Sequence, residues 1–113
     1  MKKIFILLSF LLFINLSSQL KLGRYANTCY AIDAPASILL LKKNSKFLLM
    51  YPSSVEQFSG TWVIKKDTLF LASQYYTSGK DDSIPVNEKQ YFIVKRKRLM
   101  NSQNEKCFLI FKK

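Results

Sequence analysis

Four consecutive cations, Lys95-Arg96-Lys97-Arg98, are the residues of this chain best suited to chemistry, and that chemistry is the capture of anions. Arginine forks match phosphate and carboxylate oxygens in pairs, and lysine adds a compact point charge. A structural role competes with this one, because charged residues on an edge strand resist edge-to-edge aggregation. On a strand, Lys95 and Lys97 point to one face and Arg96 and Arg98 to the other. Four cations on two faces cannot all turn inward, so the run is expected to project past the sheet or to form an edge. Tyr75, Tyr76 and Tyr91 are candidate stacking surfaces beside it.

Other chemistries find little to stand on. The chain has no histidine, so the usual proton shuttle near neutral pH is missing. Asp81, Asp82 and Glu88 share a polar segment, but glycosidase-type work needs two carboxyls held across a cleft. No nucleophile elbow and no phosphate-cradling glycine loop occurs. No catalytic residue and no cofactor is therefore expected, and the chain is read as non-enzymatic. Two cysteines, Cys29 and Cys107, are too few to hold a metal ion without histidine. They have two readings. In an oxidising compartment such a pair commonly becomes a disulfide, here joining the first strand to the last; the other reading is two buried free thiols.

The compartment is argued from the start of the chain. Met1-Lys2-Lys3 is a short positive region, residues 4–16 (IFILLSFLLFINL) are apolar except for Ser9 and Asn15, and Ser17, Ser18 and Gln19 follow. This is the layout of a secretory signal over 1–18, too short for a comfortable membrane span of roughly 20 residues. Cleavage is expected after Ser18, leaving one domain over 19–113 without a transmembrane span; an uncleaved anchor is the alternative. An exported protein, periplasmic or secreted, is the expectation. Loss of Lys2 and Lys3 leaves 16 cations against seven acids, a net charge of about +9. Such a field favours anionic partners. Export points to lipid, lipopolysaccharide or glycan and away from intracellular nucleic acid.

The segments that must carry these residues read as short strands between turn signals. Candidates are Arg24 to Ala31, Ser37 to Lys43, Lys46 to Tyr51, Phe58 to Ile64, Thr68 to Ala72, Tyr91 to Met100 and Lys106 to Phe111. Asn44-Ser45 is a plausible hairpin turn, and residues 77–90 (TSGKDDSIPVNEKQ) read as one long polar loop. Phe58, Gly60, Trp62 and Ile64 share one face by strict alternation, and Ser59, Thr61 and Val63 share the other. Trp62 is thus expected to anchor a core, with ligand stacking as the other reading. Phe58 and Tyr91 are further ligand or core aromatics. Gly60 is expected where a neighbouring backbone or large ring approaches closely, or where the strand bends into a barrel corner. Six to seven such strands make an all-β antiparallel meander that closes into a small or half-open barrel.

Leu22, Gly23 and Tyr25, then Leu39 to Leu41, Lys46-Phe47, Gly60-Thr61-Trp62 and Asp67-Thr68-Leu69 resemble the strand order of small lipocalin-like bacterial envelope domains. The N-terminal domain of the NlpE copper-response lipoproteins shows the same order: an opening glycine and tyrosine, a leucine-rich strand, a short aromatic strand, then G-T-W and a hairpin. The likeness covers roughly residues 22–72 and implies a barrel-like fold. The family's C-x-x-C is not matched, because Tyr30, Ala31 and Ile32 follow Cys29, and the lipobox cysteine is absent too. Metal sensing is therefore not carried over. The expected function is binding of an anionic envelope component through Lys95 to Arg98. The alternative is carriage of a small apolar ligand inside the barrel.

Overall fold

The computed structural model describes residues 20–79, 83–101 and 104–112. The expected signal, and the carboxylates Asp81 and Asp82, lie outside them. The described strands are β1 (Gly23–Asn27), β2 (Tyr30–Ala31), β3 (Ala34–Pro35), β4 (Ile38–Lys42), β5 (Lys46–Tyr51), β6 (Glu56–Lys65), β7 (Thr68–Ser78), β8 (Ile84–Lys95), β9 (Arg98–Asn101) and β10 (Asn104–Lys112). Eight of them close an antiparallel barrel in the order β1-β10-β9-β8-β7-β6-β5-β4, and β2 and β3 form a small side hairpin. The all-β barrel agrees with the sequence reading, but the barrel has eight strands rather than six or seven.

One difference accounts for that count, and a second lengthens a strand. Residues 91–100 are not one strand: Lys95 pairs with Arg98 across a two-residue turn, so β8 and β9 form a hairpin. Residues 84–90, expected in a loop, extend β8 along β7 through pairs such as Tyr76 with Ile84 and Ser73 with Glu88. The low strand propensity of IPVNEKQ is overridden by the partner ladder of β7, since strand preference depends on context. Pro85 pairs with Tyr75 beside a register shift between Ser73 and Tyr75, the kind of irregularity at which a sheet tolerates proline.

Alternation fills the interior. Leu39 and Leu41 on β4, Phe47 and Leu49 on β5, Leu69 and Leu71 on β7, Leu99 on β9 and Leu109 on β10 are all buried. Phe58, Trp62 and Ile64 pack against this cluster from β6, as their shared face implies, whereas Val63 faces outward. An eight-stranded barrel is just wide enough for side chains to fill it, and leucines do so here. Tyr25 lies among them. It meets Phe111 edge to face, with ring centroids 5.4 Å apart, and its hydroxyl donates to the Lys21 carbonyl at 2.7 Å. Burial pushes that hydroxyl above the usual tyrosine range, so it remains a donor across the physiological range.

Gly60 sits where β6 meets a register shift between Ser59 and Gly60, opposite β7. A Cβ there would collide with the Ala72 carbonyl oxygen and stand 3.0 Å from the Gln74 nitrogen. The close backbone approach read from the sequence is therefore real, and it comes from the main chain of β7.

The barrel seam joins the first and last strands. β1 pairs with β10 from Arg24–Lys112 to Asn27–Leu109. Just beyond, Cys29 and Cys107 are disulfide-bonded, with Cα atoms 5.4 Å apart and a sequence separation of 78. The Thr28 nitrogen donates to the Phe108 carbonyl at 2.8 Å, and the Phe108 nitrogen donates to Thr28 Oγ1 at 3.2 Å. The free-thiol reading of the two cysteines is overturned by this bond.

Candidate functional site

Strand direction decides which charges meet. In an antiparallel meander, alternate connections lie at the same end of the barrel. The turns after β4, β6 and β8 share one end with the start of β1 and the finish of β10. Each of those turns is basic. Lys42, Lys43 and Lys46 flank the first, Lys65 and Lys66 the second, and Lys95, Arg96, Lys97 and Arg98 make the third. All nine side chains are exposed. Lys21, Arg24 and Lys112 add to the same rim, since Arg24 pairs with Lys112. Among the described residues, Asp67 is the single acid at this end; Asp33 and Glu56 lie toward the other.

The basic run thus differs from its expected form. Arg96 and Lys97 are the central residues of a turn, both with left-handed backbone angles, φ 54° and 65°. The alternation that would put Lys95 and Lys97 on one face therefore does not apply. Nor is the run an edge: β8 is paired by β7 and β9, and β9 by β8 and β10. A closed barrel has no edge to protect, so the anti-aggregation role falls away. Left-handed turns of this kind favour Asn and Gly, and non-glycine residues there cost about 1 kcal/mol or more each. Two long cations occupy both positions instead. Asn44 and Ser45 at the first turn and Lys66 at the second share this left-handed region.

Neighbouring groups hold the tip in place. The Val94 nitrogen donates to the Asp67 carbonyl at 2.7 Å, tying the third turn to the second. The Arg98 guanidinium lies 4.7 Å from the Phe108 ring centroid, a distance at which the ring face attracts a cation. At the first turn the Trp62 nitrogen donates to the Ser45 carbonyl at 2.8 Å, and its indole Nε1 donates to the Lys42 carbonyl at 3.3 Å. Trp62 is therefore a half-buried brace for the first basic turn as well as a core residue.

The other aromatics separate. Phe58 lies farther along β6, between Tyr51 (6.2 Å) and Tyr76 (5.0 Å). Tyr91 is not in the core: it is half exposed on the outer face of β8, beside Phe70 at 6.4 Å. Tyr75 and Tyr76 pair with Pro85 and Ile84, near the opposite end, so neither flanks the basic turn. Glu88 is exposed on β8, away from that turn. Among the described residues no group of three His, Cys, Asp or Glu could hold a metal ion, and no helix is long and apolar enough to cross a membrane.

A cavity of about 550 Å³ opens at the basic end, walled by Leu20, Tyr25, Val94 and Phe111 and rimmed by Lys21, Arg96 and Lys97. Toward the other end a cavity of about 180 Å³ has a mixed lining that includes Asn27, Tyr51, Gln90 and Asn101. Only the first falls in the range of roughly 300–1,000 Å³ typical of small-molecule sites. Sequence reasoning missed both this cavity and the gathering of three basic turns. The available signal was that Lys42-Lys43, Lys65-Lys66 and Lys95 to Arg98 each stand at alternate connections of a meander. Compared with protein-family models, with curated proteins and with solved structures, the chain finds no match in any of the three.

Proposed function

We propose that the protein is an exported, non-enzymatic binding module for an anionic component of the cell envelope, engaged through the basic end of the barrel. The observation that carries this reading is the convergence of nine exposed cations from three hairpin turns on one rim. Convergence matters because adjoining like charges raise a local potential that scattered charges do not. The strained Arg96-Lys97 turn supports it, since the fold keeps cations where Asn-Gly would fit more easily. The disulfide is compatible with an oxidising compartment. Within this proposal the likeness to lipocalin-like envelope domains concerns the barrel alone. An apolar ligand inside the barrel is the weaker reading, because leucines occupy the interior and Trp62 lines neither described cavity.

Binding to phosphatidylglycerol vesicles, measured by sedimentation at increasing salt, tests the proposal. Each cation near an anionic membrane contributes about 1 kcal/mol, so the triple charge reversal Lys43→Glu, Lys66→Glu, Lys97→Glu should weaken binding by about 100-fold or more. Lys89→Glu, far from the basic rim, should change it little. Salt near ~0.5 M should release the protein, because screening then acts within a few ångströms. Affinity indifferent to both salt and the triple reversal sinks the proposal.

A further inference from the structure

The cavity at the basic end combines two chemistries that rarely share a wall by accident. Its sides are apolar: Leu20 and Tyr25 are buried, and Val94 and Phe111 are partly buried against the core. Its rim is cationic, with Lys21 before β1 and Arg96 and Lys97 on the third turn. Tyr25 presents little polarity, because its hydroxyl is already engaged by the Lys21 carbonyl. The Lys21 ammonium stands 5.7 Å from the Phe111 ring centroid, so charge and apolar wall meet directly. A purely apolar ligand would leave the rim cations without a counter-charge. A small inorganic anion would leave the apolar wall wet.

The geometry points to a single-chain anionic amphiphile as the occupant. Its acyl or alkyl tail lies against Leu20, Tyr25, Val94 and Phe111, and its carboxylate or phosphate head is held by Lys21, Arg96 and Lys97. This rests on the reading of the basic end as an anion-binding face and narrows it from a surface to one molecule. The left-handed Arg96-Lys97 pair then has a specific task, since a turn of Asn-Gly would leave the head facing Lys21 alone. Arginine offers the head a planar fork, which favours an oxyanion over a halide.

Calorimetric titration of the protein with monomeric octanoate, decanoate, dodecanoate and dodecyl phosphate tests the inference, each kept below its micelle concentration. Burial of each methylene should tighten binding about fourfold, so two-carbon steps should each give roughly 15-fold. Dodecyltrimethylammonium, with the same tail and the opposite charge, should bind at least about tenfold more weakly than dodecanoate. Val94→Trp fills the cavity and leaves the rim cations in place. It should abolish dodecanoate binding and leave vesicle adsorption intact. Equal affinity for octanoate and dodecanoate in the unaltered protein overturns the inference whether or not the variant folds. So does dodecanoate binding unchanged by Val94→Trp. If vesicle binding persists in either case, the broader reading stands without the cavity. Loss of both vesicle and amphiphile binding removes the two together.

Discussion

Replacing both Cys29 and Cys107 by alanine should lower the unfolding free energy by about 4 kcal/mol, and the thermal midpoint by about 15 °C or more. The size of the effect follows from where the bond lies. It spans 78 residues, nearly the whole of the barrel, and it sits at the seam where β1 meets β10. Closing so long a loop is the entropic step that the last strand must complete before its ladder forms. In the chain-entropy account, a crosslink over this length removes most of that freedom from the unfolded chain. The seam's own ladder and the Thr28–Phe108 hydrogen bonds remain in the variant, so it should still fold, with reduced stability. Thermal unfolding followed by circular dichroism, with and without reductant, measures the effect. A midpoint indifferent to reductant would show that the seam holds without its bond.

Gly60→Ala should destabilise the barrel by about 3 kcal/mol, the upper range for forcing an extra carbon into packed structure. The obstacle is main chain. The new methyl would press on the Ala72 carbonyl and the Gln74 nitrogen, which belong to the irregular part of β7 and cannot swing aside as a side chain does. Gly79→Ala is the informative comparison. Its φ is 62°, so alanine there pays a conformational penalty of about 1 kcal/mol, but its Cβ would make ordinary contacts of 3.6–3.7 Å with Val55. Denaturant unfolding should therefore rank Gly60→Ala well below Gly79→Ala. The reverse order would mean that β6 and β7 can slide apart at the bulge with little loss.

These two sites also show what was legible in the sequence. Gly60 stands at a position where alternation demands a large inward side chain, between Phe58 and Trp62. A glycine there signals a close backbone, a close ring or a bend, and the structure supplies the first. The inward sets Phe58, Trp62, Ile64 and Leu69, Leu71 were readable for the same reason: period two with one apolar face survives any reasonable choice of strand partner. The cysteine pairing was readable as one of two options, and topology decided between them.

What escaped was set by long-range pairing. Residues 84–90 carry proline, asparagine and charges, which local propensity assigns to a loop; they become strand because β7 is long enough to template them. Residues 95–98 escaped for the opposite reason. A two-residue left-handed turn normally announces itself with Asn or Gly, and here Arg96 and Lys97 fill both places. Their charge drew attention, but their conformation could not be inferred from residues that normally avoid it. The basic rim escaped because it belongs to no single segment. Lys43, Lys66 and Lys97 share an end only once the strands pair as a meander.

The claim that binding runs through this rim is tested most directly by Trp62, the sole tryptophan of the chain. Its main chain and indole are hydrogen-bonded to Ser45 and Lys42 at the first basic turn. Quenching of its fluorescence by neutral acrylamide reports whether that end is covered. Phosphatidylglycerol vesicles at low salt should protect Trp62 from quenching, phosphatidylcholine vesicles should not, and salt near ~0.5 M should restore access. Vesicles that bind the protein while Trp62 stays as accessible as in solution would place the contact elsewhere on the barrel and contradict the account.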